Sequence, residues 1–442
     1  MAERDVDIDR LFESGAEAAL KTYLRLLHPA DIAELFNYVD LDDWLVLSSH
    51  LEPDVLAEVL TNVDEKQRAR LGAMIETADL IRALRELETD DAADVLQDLP
   101  ENKSAAVLEG LEDKQEIRSL LAYPEDSAGG IMQTEVCRVR AAATVAEAIE
   151  AVRAARDAVD DVLEVYVVDD DGKLVGAVDI EDLLVSNDGD AVSALMKSPD
   201  HVLTPDIDQE EVAQIFGKYD VPTRPVVNEE GILLGRITFD DVHDVLEEEA
   251  SEDIMTMAGV STEELVYGSN VVRIAMVRLP WLVSSLIGSL VTGFLLAKFS
   301  RFADSAFVMA AFVPMLMAMT GNVGTQSAMI VTRGFVIGRV EFATIGRTFM
   351  REVGVGIVMG ITAGCVVGLT AVLWRGAPIV GLAVGVSMMC SMTMAAFVGV
   401  FAPVLFKRVG VDPAIAAGPL VTTGCDMMGV GIYLYVAIMF LS

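Results

Sequence analysis

Apolar positions fall into three regimes along the chain. Up to about residue 130 they recur every three to four residues, as in Asp31-Ile-Ala-Glu-Leu, Asp54-Val-Leu-Ala-Glu-Val-Leu and Asp91-Ala-Ala-Asp-Val-Leu. Pro29, Pro53 and Pro100 punctuate that pattern. Such spacing predicts short amphipathic helices stacked as hairpins, with carboxylates on their outer faces. Between 131 and 250 a unit recurs. Val167-Val-Asp-Asp-Asp-Gly-Lys-Leu-Val-Gly is echoed by Val226-Val-Asn-Glu-Glu-Gly-Ile-Leu-Leu-Gly, with Gly172 matching Gly231 and Gly176 matching Gly235. Each copy reads as helix, strand, acidic turn with glycine, strand, helix. Two such copies can bury their sheet faces against each other.

From residue 273 the pattern becomes continuously apolar. Five stretches, near 279–298, 305–331, 353–374, 377–406 and 414–441, are long enough to cross a hydrocarbon core of about 30 Å. Arg273 and Arg278 precede the first stretch. Arg333, Arg339, Arg347 and Arg351 separate the second from the third, and Lys407 and Arg408 the fourth from the fifth. The opposite loops carry Lys298, Arg301 and Arg375. This asymmetry predicts a multi-pass protein of the cell (inner) membrane with its N-terminal head in the cytosol and its C-terminus outside. The start, MAERDVDIDR, has no apolar core of a cleaved signal.

Charge sharpens the division. The chain of 442 residues has a formal net charge of −37, yet its mean hydropathy is +0.43. From Arg273 onward eleven Lys/Arg face five Asp/Glu, against chain totals of 32 and 69, so residues 1–272 carry a net −43. An acidic head of that size repels nucleic acid and attracts cations; solubility or adaptation to high salt would also favour it. The acidity peaks in residues 240–253, DDVHDVLEEEASED, where eight of fourteen are Asp or Glu. On a helix Asp241, Asp244, Glu248 and Glu252 share nearly one face. A solvated helix explains such a run, and so does a site for a cation that removes the repulsion.

Two apolar stretches carry chemistry. The second contains Thr320-Gly-Asn-Val-Gly-Thr-Gln-Ser, in which Gly321 and Gly324 are expected to loosen the helix beside Asn322. A packing face of small and polar residues is the plainer account. The fifth contains Pro419-Leu-Val-Thr-Thr-Gly-Cys-Asp-Met-Met-Gly, and Asp426 is the one acidic residue deep within any apolar stretch. A carboxylate there costs about 3 kcal/mol or more, so a function is the default expectation. Thr422, Thr423, Asp426, Gly429 and Tyr433 share a helical stripe. Oxygen donors without His or Cys select a hard cation, and Mg²⁺ is commonly held by one or two carboxylates with its waters retained. The four cysteines and four histidines form no ligand pattern. No nucleophile–base pair or Walker loop points to an enzyme.

The duplicated units resemble tandem CBS domains, which imply a ligand-sensing module. In nucleotide-binding CBS domains a Thr/Ser and an Asp three residues on hold the ribose and phosphates. Here Thr238 and Asp241 match in the second copy, and Asp179 takes the Thr position in the first. ATP is therefore a candidate ligand of one half-site. The whole layout, with His28-Pro-Ala-Asp-Ile-Ala-Glu, Tyr123-Pro-Glu-Asp-Ser-Ala-Gly-Gly-Ile-Met and the two polar membrane motifs, resembles the MgtE family of magnesium channels.

The resemblance implies a multidomain membrane protein. Its parts are an all-α helical-repeat domain (1–130), an α/β tandem CBS pair (131–190 and 191–250), a connecting helix (251–272) and a five-helix transmembrane domain (273–442). It also implies a homodimer whose pore is lined by the second and fifth spans, with Asp426 at the ion and Asn322, Gly321, Thr422 and Thr423 along the path. Regulatory Mg²⁺ would lie among Glu58, Asp90, Asp220, Asp241, Asp244, Glu249, Glu252 and Asp253. High cytosolic Mg²⁺ would bridge these groups and close the pore. A broader cargo such as Mn²⁺ or Co²⁺, and a non-transporting CBS sensor, are the alternatives.

Overall fold

The computed structural model describes residues 17–156, 162–199, 201–260, 271–299, 311–336, 340 and 345–441. Among them the chain opens with short helices: α1 Glu17–Leu24, α2 Pro29–Leu35, α3 Leu41–Ser49, α4 Pro53–Asn62, α5 Glu65–Met74, α6 Thr77–Leu84, α7 Thr89–Asp98, α8 Glu101–Leu108 and α9 Lys114–Leu120. Pro29 and Pro53 each sit in the first helical turn, where proline lacks only an N–H that would be unpaired anyway. Alternate helices pack together: α2 on α4, α4 on α6 and α6 on α8, with α3 on α5, α5 on α7 and α7 on α9 in a second row. The apolar stripe of each helix thus closes on the helix two along, as in a solenoid.

The duplicated region follows as predicted. β1 Arg138–Arg140, α10 Val145–Ala155, β2 Glu164–Val168, β3 Leu174–Asp179 and α11 Ile180–Val185 make the first copy. After the short α12 Val192–Leu195 come α13 Gln209–Tyr219, β4 Thr223–Val227, β5 Leu233–Thr238 and α14 Phe239–Met257. β1 pairs in parallel with β2, and β2–β3 and β4–β5 are antiparallel hairpins. Both hairpins have the same irregularity, at Val167/Val168 and at Val226/Val227. Gly172 and Gly231 turn with φ of +83° and +82°, a left-handed conformation that favours glycine. The Asp169 carboxylate accepts from the Asp171 and Lys173 amides, as the Asn228 side chain does from Glu230 and Ile232. The two hairpins then meet about a local twofold: Leu174 N donates to Gly231 O at 3.0 Å, and Leu233 N to Gly172 O at 3.2 Å. Tyr166, Val168, Val227 and Leu233 fill the seam.

The two copies are not cored alike. The first has its own small core around Val165, Val167 and Val178. The second shares one continuous core with the solenoid, joined through Ala128 and Met132 to Phe216, Val226 and Ile237. Solenoid and second copy therefore behave as one packed body.

The C-terminal region contains α15 Val271–Phe299, α16 Val313–Val336, α17 Ile345–Arg375, α18 Pro378–Arg408, the short α19 Ala414–Ala417 and α20 Pro419–Leu441. Among the described residues four helices, those beginning at Arg278, Ile345, Pro378 and Pro419 when trimmed to their apolar parts, are long and apolar enough to span a membrane. α16 has 24 residues and also matches an expected span, but its Thr, Asn, Gln and Ser residues dilute its apolar character. α20 packs on α15, α16 and α18.

Two expectations change. α16 is continuous through Gly321 and Gly324, so these glycines do not loosen it. The backbone breaks instead at Gly418, between α19 and α20. α14 runs unbroken from Phe239 through the expected limit at 250 to Met257. The chain forms two compact units whose sequence limit, Leu246/Glu247, falls within that helix. Residues 261–270 of the expected connecting helix, and Arg301 and Arg339, lie outside the described residues.

Candidate functional site

In the membrane unit, the reason for the glycines of α16 is close approach. A Cβ on Gly324 would lie 2.3 Å from Cys425 Sγ, and one on Gly321 would lie 3.1 Å from Thr422 Cγ2 and 3.5 Å from Asp426 Oδ1. The absent side chains bring α16 against the polar stripe of α20. Thr325 and Thr422 hydroxyls meet at 2.9 Å. Beside them Asp426 is half-buried, and its Oδ1 is enclosed with no hydrogen-bond partner. An acceptor left so is ready for a cation or its hydration shell. Thr423, one residue on, points elsewhere: its hydroxyl donates to Ser285 of α15 at 3.3 Å. Asn322 and Gln326, one turn apart, are exposed on α16. Polar side chains on the outside of a hydrophobic helix require water or another chain to satisfy them.

The start of α20 also receives the acidic helix. A Cβ on Gly418 would come 2.6 Å from the Met257 carbonyl, and one on Gly259 3.0 Å from Pro419 Cγ. The end of α14 therefore abuts the helix that carries Asp426, two turns from the carboxylate.

In the head, α7 and α14 bring carboxylates together from 150 residues apart. Asp90 is buried and its Oδ1 has no hydrogen-bond partner. Burial, then the charges of Asp241, Asp91 and Glu88, push its pKa well above the usual carboxylate range. Asp241 is raised to about 7, first by burial, although the Thr238 hydroxyl and amide donate to its Oδ2 at 2.5 and 3.1 Å. Asp91 is raised to about 6 by burial and by Asp94, Asp240 and Asp244, against the pull of Arg68. Each shift says the ionised form is disfavoured where it stands.

Uncharged and cationic groups hold these repelling elements in place. The Thr89 hydroxyl donates to Glu135 Oε2 at 2.7 Å and accepts from the Thr134 amide at 3.0 Å. The guanidinium of Arg236, almost fully buried, lies 3.7 Å from Glu88 Oε1 and donates through Nε to Gln133 Oε1 at 3.1 Å. Removing one partner of a buried ion pair costs about 3 kcal/mol. Arg236→Leu is therefore expected to lower the head's melting temperature by roughly 8 °C. A differential-scanning trace unchanged within about 2 °C would show that the latch is idle.

The expected ligands thus divide. Asp90, Asp241 and Asp244 belong to one carboxylate neighbourhood. Glu58 is exposed on α4, and Asp220 is an exposed, left-handed cap of α13 with φ of 54°. Glu249, Glu252 and Asp253 continue along α14 in the C-terminal unit. Among the described residues no three or more His, Cys, Asp or Glu form a ready metal cage. Glu88, Asp91, Asp240 and Arg236 are additions to the sequence reading. The doubled acid Asp90-Asp91 after Glu88 was a visible signal. In the first CBS copy Lys197 pairs with Asp179 and, at 3.0 Å, with Asp182, so that half-site already has its cation.

A multi-span membrane unit with an unpartnered carboxylate oxygen enclosed between its helices, in one chain with an acidic head, defines a cation transporter. The comparisons agree region by region. Residues 313–436 match the divalent cation transporter family MgtE, residues 27–126 its intracellular N domain, and 128–186 and 192–248 the CBS domain. The chain is 34% identical to the magnesium transporter MgtE of Thermus thermophilus, over 98% of this chain and 97% of that protein. It is 32% identical to that of Enterococcus faecalis over 74% of this chain and 72% of that protein. The chain belongs to the MgtE family. The crystal structure of the cytosolic domain of the Mg²⁺ channel MgtE in complex with ATP is similar at a TM-score of 0.52 and 32% identity, covering 54% of this chain and 99% of that one.

Proposed function

We propose that the protein imports Mg²⁺ across the cell membrane and is gated by the same ion bound to its head. The observation that carries the transport reading is the enclosed, unpartnered Oδ1 of Asp426 facing Gly321 of α16. Thr422 and Thr325 flank it, and Asn322 lines the same path. Two copies about a twofold axis would place two carboxylates at one hydrated ion and would cover the exposed Asn322 and Gln326. The relatives' names support Mg²⁺ as the cargo. Arg333, Arg347, Arg351, Lys407 and Arg408 support a cytosolic head and an external C-terminus. The domain limits 1–130, 131–250, 251–272 and 273–442 remain part of this reading.

Regulatory Mg²⁺ fits the residues present. Asp90 supplies an orphaned buried oxygen, and Asp241 and Asp244 approach from α14. Asp220, Glu58, Glu249, Glu252 and Asp253 are the outer ligands of this proposal. A bound cation removes the repulsion and favours the closed arrangement. The motion reaches the pore through the end of α14 against Gly418 and Pro419. An adenine nucleotide at the second CBS half-site, read by Thr238 and Asp241, is supported by the ATP complex of the similar cytosolic domain.

The test is flux into proteoliposomes loaded with a Mg²⁺ indicator. Wild type should conduct Mg²⁺ and be inhibited as Mg²⁺ on the head side rises. Flux equal to protein-free vesicles would refute transport. Equal rates for Mn²⁺ or Co²⁺ would favour the broader cargo.

A further inference from the structure

We propose that Glu352 is a positioning residue of the conduction path, holding the polar helix α16 in register with Asp426. This rests on reading α16 and α20 as that path. Glu352 stands at the edge of the third apolar stretch, so hydropathy alone passes over it. Within α17 its side chain is 5% exposed. Carboxylates are rarely buried in an apolar helix bundle without a task and a partner. Both oxygens of Glu352 are engaged. Oε1 takes Nε and Nη2 of Arg351, each at 3.3 Å, and the Arg351 side chain is 63% exposed. Oε2 accepts from the Ser327 hydroxyl of α16 at 3.3 Å.

Ser327 is a telling place for that bond. α16 is squeezed at this level from two sides. A Cβ on Gly399 of α18 would lie 2.3 Å from the Gly324 carbonyl oxygen and 3.0 Å from Ser327 Cβ. On another side Gly324 meets Cys425 and Val421 of α20. Packing of small residues sets the distance between helices, but it restrains rotation weakly, because a glycine face offers no knob to lock. The bond from Ser327 to a fixed carboxylate supplies that restraint. Thr325, two residues away, touches Thr422, and Gly321 faces Asp426. On a helix about 10–12 Å across, a rotation of about 20° moves a side-chain tip by about 2 Å. A displacement of that size would part Thr325 from Thr422 and re-aim the wall opposite Asp426. The Arg351 charge neutralises Glu352, so the group orients and does not bind cargo.

The experiment measures Mg²⁺ entry into proteoliposomes for the full chain carrying E352A, E352Q, S327A, S327A/E352A or D426N. Melting temperatures are recorded alongside. E352A is expected to lose about tenfold in flux, and S327A about fivefold, as for a lost charge-assisted hydrogen bond that fixes geometry. The double variant should be no worse than E352A, because both changes remove one bond. E352Q, whose amide oxygen still accepts from Ser327, should keep at least about half the flux.

E352A within about twofold of wild type would overturn the proposal. So would E352Q as impaired as E352A, which would make charge the operative property, or single losses that multiply in the double variant. Should E352A fail to fold, S327A decides alone, and wild-type flux there is equally fatal. D426N at wild-type flux would overturn the conduction path itself and with it the route by which Glu352 acts. D426N impaired beside an inert E352A removes only the role of Glu352.

Discussion

Asp426→Ala is expected to cut Mg²⁺ flux by about 100-fold, corresponding to a barrier raised by about 2.7 kcal/mol. Asp426→Asn should lose nearly as much. The amide keeps the shape and the oxygen acceptor but not the charge, and a hydrated divalent ion in a low-dielectric passage is held mainly by charge. No Lys or Arg occurs in α20 to neutralise Asp426. Its Oδ1 has no hydrogen-bond partner, and the amide oxygen of Asn can still accept from the Thr320 hydroxyl that bonds the carboxylate. Melting temperatures within about 3 °C of wild type are therefore expected for D426N. A variant that conducts normally would detach the carboxylate from transport. One that neither conducts nor folds would assign it to packing.

The sequence pattern carried the elements further than it carried the site. Helical periodicity and the first-turn prolines located α2 and α4, because both features are local. The repeat of Gly172 at Gly231 located both hairpins, since a left-handed turn leaves a residue-specific mark. The meeting of Asp90 with Asp241 was accessible only through the family resemblance. Arg236 and Glu88 were not accessible at all: their pairing depends on how a solenoid docks on a sheet. Within the membrane, one helical stripe joined Thr422 and Thr423 on paper. In the fold the first faces α16 and the second Ser285 of α15, because a single residue turns the helix by about 100°. Gly321 and Gly324 show the same limit. Their composition fits a break and a close approach equally well, and only a neighbour such as Cys425 decides.

Without divalent cation, the head is expected to lose stability as pH rises from about 4 to about 7, and Mg²⁺ should restore it only near the upper end. Asp241 is held at about 7 and Asp91 at about 6, against 3.8 in an unfolded chain, and Asp90 shifts the same way. Across that window the folded head keeps protons that the unfolded chain has released. Unfolding then sheds protons, so raising pH favours it. Below about 4 both states are protonated, and above about 7 both are ionised, so the slope vanishes at either end. Asp241 alone corresponds to on the order of 4 kcal/mol lost across the window, with its neighbours sharing part of the same repulsion. Mg²⁺ binds ionised carboxylates, so at pH 5 it must displace protons and its stabilisation should shrink. Melting temperatures of the full-length protein at pH 5 to 8, with and without Mg²⁺, measure this directly. D90N/D241N should flatten the pH profile, raise the cation-free melting temperature at pH 8 and remove most of the Mg²⁺ increment. An acidic surface serving only solubility makes the opposite claim: monovalent salt at equal ionic strength would stabilise as well as Mg²⁺. A Mg²⁺ increment of the same size at pH 5 and pH 8 would exclude Asp90 and Asp241 as ligands. The two surfaces are separable because acids of α14 such as Asp244 and Glu247 stand in water, whereas Asp90 is enclosed with an oxygen that has no hydrogen-bond partner and that a cation would satisfy.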